Sequence, residues 1–414
     1  MSNGAPYRVG QWLPSDQAAL DNWLEALVCE VGETERPLLP VVADFKSLIE
    51  GDAKLFMLFT EMFKEVPADK RTSPSGKPQV RHYQHMLQLV NAIMTKAPEF
   101  NDTGLVGFPI NAIFDWSMAT PAGLAAFLDD RVNAQLKRIL NEWGTFLKSS
   151  DSTYVLNDDP KSGWFGAAAR KKMPNFAEEF QCDPNAPHYG FTSWDDFFTR
   201  QFRDGVRPVA GKGDDCVIVN ACESAPFRVA EGVQRRSEFW VKGQSYSLEH
   251  MLNHDDLVDQ FVGGTVYQAF LSALSYHRWH SPVSGRIVKA YIQDGTYYSE
   301  TPAVGYDPSA PNSSQGYITE VATRAMIFIE ADNPDIGLMC FMPVGMAEVS
   351  TCDITVYEGQ HVEKGEQLGM FHFGGSTHCL FFRPGTKLQF DLHGQVPGLD
   401  SQNIPINSKI ATVG

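Results

Sequence analysis

The chain is poor in the features that define several protein classes. No run of apolar residues approaches the roughly 20 needed to cross a bilayer; the most apolar stretch, near Ile336 to Ala347, is far shorter. Met1 to Pro14 contains no apolar core of the kind a secretory signal carries. There is no CxxC pair. The seven cysteines, Cys29, Cys182, Cys216, Cys222, Cys340, Cys352 and Cys379, are scattered and odd in number, so reduced thiols in a cytoplasmic protein are the expectation. Basic residues are in deficit: 34 Lys and Arg stand against 50 Asp and Glu, a formal charge of −16. That balance argues against a protein that tracks nucleic-acid phosphates or docks electrostatically on an anionic membrane, and no stable membrane insertion is expected. Low-complexity tracts and fixed-period repeats are also missing.

What is present is a globular composition, 43% hydrophobic and 20% charged over 414 residues, enough for one large domain or two ordinary ones. The first half carries helical periodicity. Asp16 to Val31 places Leu20, Trp23, Leu24 and Leu27 on one stripe, and Phe45 to Phe63, His82 to Lys96 and Pro121 to Leu147 continue the pattern. Ser193 is placed to cap a further helix carrying Trp194, Phe197, Phe198 and Phe202, ending near Gly205. Beyond Arg207 the pattern changes to short β runs at Cys216–Asn220, Gly264–Phe270, Gly285–Ile292, Ala325–Glu330 and Gly337–Phe341, with one helix at Leu248–Leu252. The expectation is an α+β protein: a helical N-terminal region, 1–185, followed by a β-rich region, 186–414. Val356 to Phe371 has turn glycines at Gly359 and Gly365 and the cadence of a biotinyl/lipoyl-type sandwich. A carrier would present its lysine at an exposed hairpin tip. Lys364 sits in a Glu-Lys-Gly turn, so a scaffold role is expected.

Three short segments could carry chemistry. In Phe373-Gly-Gly-Ser-Thr377 the glycines free the backbone and let Ser376 approach the carbonyl before it. Taken alone it also reads as a Gly-rich turn, and His378 where a serine-hydrolase elbow needs glycine excludes that motif. In Tyr276-His-Arg-Trp-His280 two histidines stand three apart. A metal reading lacks a third ligand nearby, no metal is expected, and a hydrogen-bonded pair at a turn is the plain alternative. In Val219-Asn-Ala-Cys-Glu-Ser224, Glu223 ends an apolar strand and could orient a histidine or lie in solvent.

Together the segments resemble the phosphatidylserine decarboxylase family of pyruvoyl enzymes, in its double-glycine form. The motifs follow in family order over about residues 189 to 385: Trp194-Asp-Asp-Phe-Phe-Thr-Arg200 with Arg207-Pro208, Val241-Lys-Gly-Gln-Ser-Tyr-Ser-Leu248, Tyr276-His-Arg-Trp-His280 with Ser281-Pro-Val-Ser-Gly285, Val362-Glu-Lys-Gly-Glu366, and Gly374-Gly-Ser-Thr377. One departure is Glu223, where the family usually has aspartate. That variant, with the helical extension, is similar to the branch of the family acting on free L-tryptophan.

The resemblance implies self-cleavage between Gly375 and Ser376. Ser376 attacks the Gly375 carbonyl with His280 as base and Glu223 orienting the imidazole, a Ser-His-acid arrangement turned on the chain's own backbone. The Ser376 remnant becomes a covalent pyruvoyl group, with Gly374, Gly375 and Thr377 around it, and the two fragments stay associated. That group would form a Schiff base with a small amino-acid substrate and accept electrons as carbon dioxide leaves, with His277 protonating the product carbon. The substrate expectation is an aromatic L-amino acid, L-tryptophan going to tryptamine. The alternatives are phosphatidylserine going to phosphatidylethanolamine, and a non-catalytic binding protein that keeps the fold. The residues do not indicate the oligomeric state.

Overall fold

The computed structural model describes residues 17–32, 36–66, 80–100, 109–237, 246–271, 274–301, 314–349, 351–372 and 375–414. The chain forms two compact units interleaved in sequence. The first is Met1–Pro174 with Asn185–Asp196 and Thr296–Tyr317; the second is Asn175–Pro184 with Phe197–Gly295 and Ile318–Gly414.

The first unit is helical: α1 (Gln17–Val31), α2 (Pro40–Gly51), α3 (Ala53–Glu65), α4 (Tyr83–Ile93), α5 (Pro109–Met118), α6 (Pro121–Phe127) and α7 (Asp130–Leu147). Two helices expected to be continuous are each broken by an aspartate. Asp52 is extended (φ −124°, ψ 119°) and its Oδ1 accepts from the Leu55 amide at 3.0 Å, ending α2 and capping α3. Asp129 does the same between α6 and α7. An aspartate that satisfies an orphan amide at a helix start competes with continued helix, and hydrophobic periodicity is blind to that competition. Arg131 links the two caps, reaching Asp52 Oδ2 at 2.6 Å and Asp129 Oδ2 at 2.9 Å. Phe45, Phe59, Phe114, Phe127 and Trp143 fill the core. The late segment from Thr296 packs into this unit, where the Tyr297 amide donates to Asn133 Oδ1 at 3.1 Å and Tyr298 meets Phe114 edge-on.

The second unit is antiparallel β. Its strands are β1 (Val217–Val219), β2 (Ala225–Glu231), β3 (Thr265–Leu271), β4 (Arg278–His280), β5 (Gly285–Gln293), β6 (Arg324–Ala331), β7 (Leu338–Met346), β8 (Thr351–Ile354), β9 (His361–Val362), β10 (Gln367–His372), β11 (Gly375–Phe382), β12 (Leu388–Phe390) and β13 (Lys409–Val413). A seven-stranded sheet runs β2-β3-β11-β7-β6-β5-β9, and two three-stranded sheets run β4-β10-β8 and β1-β13-β12. The protein is thus α+β, and the five expected strands are all present, four with ends shifted by one residue and the fifth, expected at Gly337–Phe341, running on to Met346 as β7. The helix begun at Ser193 covers only Trp194–Phe198, short of the expected Gly205; Ser193 Oγ does cap it, accepting from the Asp196 amide at 3.0 Å. Gly359 and Gly365 take positive φ (88° and 84°), the turn conformation glycine permits. Lys364 is buried, its Nζ donating to the carbonyls of Gly211, Asp214 and Val217 at 2.7–3.1 Å. It anchors a loop and presents nothing to solvent.

Gly285, the last residue of the Ser-Pro-Val-Ser-Gly motif, opens β5 directly against β6. A Cβ there would lie 2.4 Å from the Glu330 carbonyl oxygen and 2.9 Å from Ala331 Cα. Gly285→Ala should therefore cost about 1–3 kcal/mol, as overpacking against backbone does, read as a lower urea midpoint; an unchanged midpoint would show that the β5–β6 pair yields freely.

Candidate active site

Ser376 is the second residue of β11, a strand with partners on both edges. Ser376 pairs with Leu271 of β3 and with Gly345 of β7. Its side chain is fully buried, and its hydroxyl has no hydrogen-bond partner among the described residues. A buried hydroxyl normally finds one, and leaving it unmet costs about 1–3 kcal/mol. Phe373 and Gly374 lie outside the described residues; Gly375 pairs with Met346. Thr377 points to the other face of the sheet. There its Oγ1 donates to the Ala269 carbonyl at 2.9 Å and accepts from Gln268 Nε2 at 3.1 Å.

The two histidines of the His-x-x-His motif have different surroundings. His277 is 1% exposed and its ring stacks on Phe198, centroids 4.3 Å apart. His280 is half-buried. Its Nδ1 lies 2.8 Å from the Gly365 carbonyl oxygen, which only accepts, so Nδ1 carries the proton. Nε2 then accepts from the Tyr276 hydroxyl at 3.0 Å. Burial holds the imidazole down at about 4, against a smaller upward pull from the Gly365 hydrogen bond, so His280 is neutral near pH 7. Trp279, between them, packs on Phe341 and Phe371. Successive residues of a strand face opposite ways, so His280 leaves β4 on the side away from Trp279.

The expected Glu223–His280 contact is not formed. Glu223 Oε1 accepts from Arg207 Nε at 3.0 Å and Nη2 at 2.7 Å, and Oε2 accepts from the Ile406 amide. A planar guanidinium offers a carboxylate two charge-assisted bonds where an imidazole offers one. Arg207 is itself held over the Phe202 ring, 4.4 Å from its centroid. Glu223 does stand next to the histidine segment through the backbone, since the His280 amide donates to the Ala221 carbonyl at 2.9 Å.

The Trp194-to-Arg200 motif has a supporting role that is now visible. Arg200 is buried among Phe176, Phe180 and Phe197 and donates to the carbonyls of Leu274 and Ser275, just ahead of the histidines. Arg278 reaches the Thr199 carbonyl at 2.6 Å and Gln367 Oε1 at 2.8 Å. Among the described residues no group of three His, Cys, Asp or Glu side chains is placed to hold a metal ion, and no helix is long and apolar enough to cross a membrane. Sequence reasoning passed over His378, which is fully buried and bonded to Ser224 Oγ at 3.0 Å. Its signal was the period of two that places residues 376 and 378 on one face of a strand.

Two family models, both described as phosphatidylserine decarboxylase, match residues 39–173 and 194–396. The chain is 39% identical to an L-tryptophan decarboxylase of Psilocybe cubensis, over 91% of this chain and 89% of that protein. It is 45% identical to decarboxylase iboD of Amanita muscaria over 69% of this chain and 86% of that protein. It is 29% identical to phosphatidylserine decarboxylase proenzyme 3 of Schizosaccharomyces pombe over 54% of this chain and 22% of that protein. The chain is therefore a carboxy-lyase. It belongs to the phosphatidylserine decarboxylase family.

Burial depresses His280 and His85 to about 4 and His378 to about 3. Between those values and 6.5 the unfolded chain binds protons that the folded chain refuses, so stability should fall as pH drops below 6.5. Glu320, raised to about 8 mainly by burial, opposes this trend in wild type and variant alike. His280→Gln should therefore show a shallower acid slope in urea midpoints between pH 6.5 and 4.5; an unchanged slope would mean that His280 titrates normally.

Proposed function

We propose that this chain cuts itself between Gly375 and Ser376, carries the resulting pyruvoyl group at residue 376, and converts L-tryptophan to tryptamine and carbon dioxide in the cytoplasm. The observation that carries the reading is the Ser376 hydroxyl, buried without a partner directly after a glycine at the head of a central strand. A hydroxyl already stripped of solvent and uncommitted to another bond is free to turn on the adjacent carbonyl.

In the cut, Ser376 Oγ bonds to the Gly375 carbonyl carbon, the Gly375–Ser376 C–N bond breaks, and the hydroxyl proton passes through a base to the released nitrogen. Family resemblance assigns the base to His280, whose Nε2 must first give up the Tyr276 hydroxyl. Glu223 supports His280 through the chain, fastened by Arg207 and the Ile406 amide two residues after Ala221. In the elimination a base takes the residue 376 α-proton as the Gly375 carboxylate leaves, and water hydrolyses the resulting enamine, through its imine, to the ketone and ammonia. The pyruvoyl group supplies a ketone that acts as an electron sink for decarboxylation. His277, held against Phe198, delivers the proton to the carbon that lost carbon dioxide.

All residues proposed for chemistry fall in 186–414, the catalytic region, and the helical region 1–185 supplies none. Residues 356–371 serve as a biotinyl/lipoyl-like scaffold element. The cut would release residues 376–414, a fragment of 39 residues that keeps β11 between β3 and β7. Leu380, Phe381 and Phe382 are at most 1% exposed, and burying each is worth roughly 1.5–3 kcal/mol, so the fragments stay together. The tryptophan reading is supported by the match to L-tryptophan decarboxylase along nearly the whole chain, helical region included, where the Schizosaccharomyces pombe enzyme matches about half.

Intact mass under denaturing conditions tests the cofactor. Two species are expected, the shorter spanning 376–414 with a pyruvoyl cap; a single full-length mass would overturn the reading. Ser376→Ala and His280→Ala should each remain one uncut chain. His277→Gln should cleave normally and lose roughly 10²–10⁴-fold in turnover. Carbon dioxide release from free L-tryptophan is the expected activity, and release only from phosphatidylserine vesicles would replace the substrate.

A further inference from the structure

The self-cleavage proposed above leaves open how the Ser376 hydroxyl is aimed. The sheet register identifies a neighbour that can do this. Residues 376 and 378 share a face of β11, separated along the strand by about 6.6 Å. His378 pairs with Ala269 of β3, a residue too small to obstruct the ring. Ala225 of β2 pairs with Phe270, and Leu271 pairs with Ser376, so Ser224 lies at the level of Ser376 in the sheet. The His378 ring reaches Ser224 Oγ at 3.0 Å through Nε2. It therefore leans across Ala269 toward the serine end of its own strand.

The protons can be assigned. Ser224 Oγ also lies 3.2 Å from the Cys222 carbonyl oxygen and 3.3 Å from Asn220 Oδ1, both acceptors. The Ser224 proton goes to one of these, which leaves its oxygen to accept from His378 Nε2–H. In that tautomer Nδ1 holds a lone pair. Nδ1 is fully buried and has no partner among the described residues, as is true of the Ser376 hydroxyl on the same face. Burial keeps the ring neutral at working pH. One unmet acceptor and one unmet donor thus share one strand face, short of bonding distance in the uncut chain.

We propose that His378 is a positioning residue for self-cleavage: its Nδ1 accepts the Ser376 hydroxyl while that side chain turns toward Gly375 and releases it before His280 takes the proton, and Ser224 fixes the tautomer that makes this possible. The role rests on the self-cleavage reading and adds to it a histidine outside the His-x-x-His motif.

Two isosteric variants separate this role from plain packing. The Asn side chain can place a polar atom near the site of Nδ1, and the Gln side chain one near the site of Nε2. His378→Gln keeps the Ser224 bond and loses the Nδ1 acceptor. His378→Asn does the reverse. The cleaved fraction is followed by intact mass from synthesis onward, with melting temperature measured on each protein. Expected is cleavage slowed tenfold or more in His378→Gln and within threefold of wild type in His378→Asn, with similar melting temperatures. Equal and normal cleavage in both would overturn the proposal. So would equal slowing in both with matching losses of melting temperature, which would show a purely structural histidine. A wild-type chain that never cleaves would instead overturn the self-cleavage reading itself.

Discussion

The ladders tying β11 to β3 on one edge and to β7 on the other run from Ser376 to Phe382 without a register break. Most of the second unit is arranged around that double pairing. It leaves β11 no free edge and places Leu380, Phe381 and Phe382 in the core. It also removes the first side chain of the strand from water. A serine at an exposed turn would be solvated and inert, whereas at the head of an interior strand its hydroxyl has lost water without gaining a partner. The cost of that unmet group is met by the packing around the strand. The same packing would hold a severed β11 in place.

The remaining parts of the site are attached to this strand by backbone more than by side chain. The C-terminal segment bridges Ser224 through Ile404, reaches Glu223 through the Ile406 amide, and returns to the sheet as β13 beside β1. Residues on both sides of the proposed cut therefore hold the Cys222-to-Ser224 corner. Arg200 does similar service for the approach to the histidines, with a guanidinium buried among three phenylalanines. Burial lowers its pKa to about 10, and the carbonyl oxygens of Phe197, Leu274 and Ser275 share its charge. A charge kept in such surroundings is there to hold the Leu274–Ser275 backbone in one position.

Hydrogen bonding distinguishes the two histidines. His280 has both ring nitrogens committed, and His378 has one nitrogen tied to Ser224 and one unmet. Both rings are neutral near pH 7 because burial disfavours the cation. Neutral imidazoles would suit the proposed self-cleavage and decarboxylation, since a fixed cation beside a departing carboxylate would stabilise the reactant.

The β runs, the Ser193 cap and the turn glycines were legible in the residues themselves, because each depends on local periodicity, capping or φ. Local information offered Ser376, His277, His280 and Glu223 beside plain structural alternatives, and the family resemblance singled them out. It could not show that the two long helical stretches break at Asp52 and Asp129, because periodicity does not register a competing cap. Nor could it show that Glu223 binds Arg207, that Lys364 is caged by carbonyls, or that His378 bonds Ser224. Those outcomes depend on which strands become neighbours and in what register, a choice made by long-range pairing. Residue chemistry by itself set which groups were available to react. Tertiary structure decided which of them lost water, which found partners and which were left unmet, because burial and hydrogen bonding are settled only when distant segments meet.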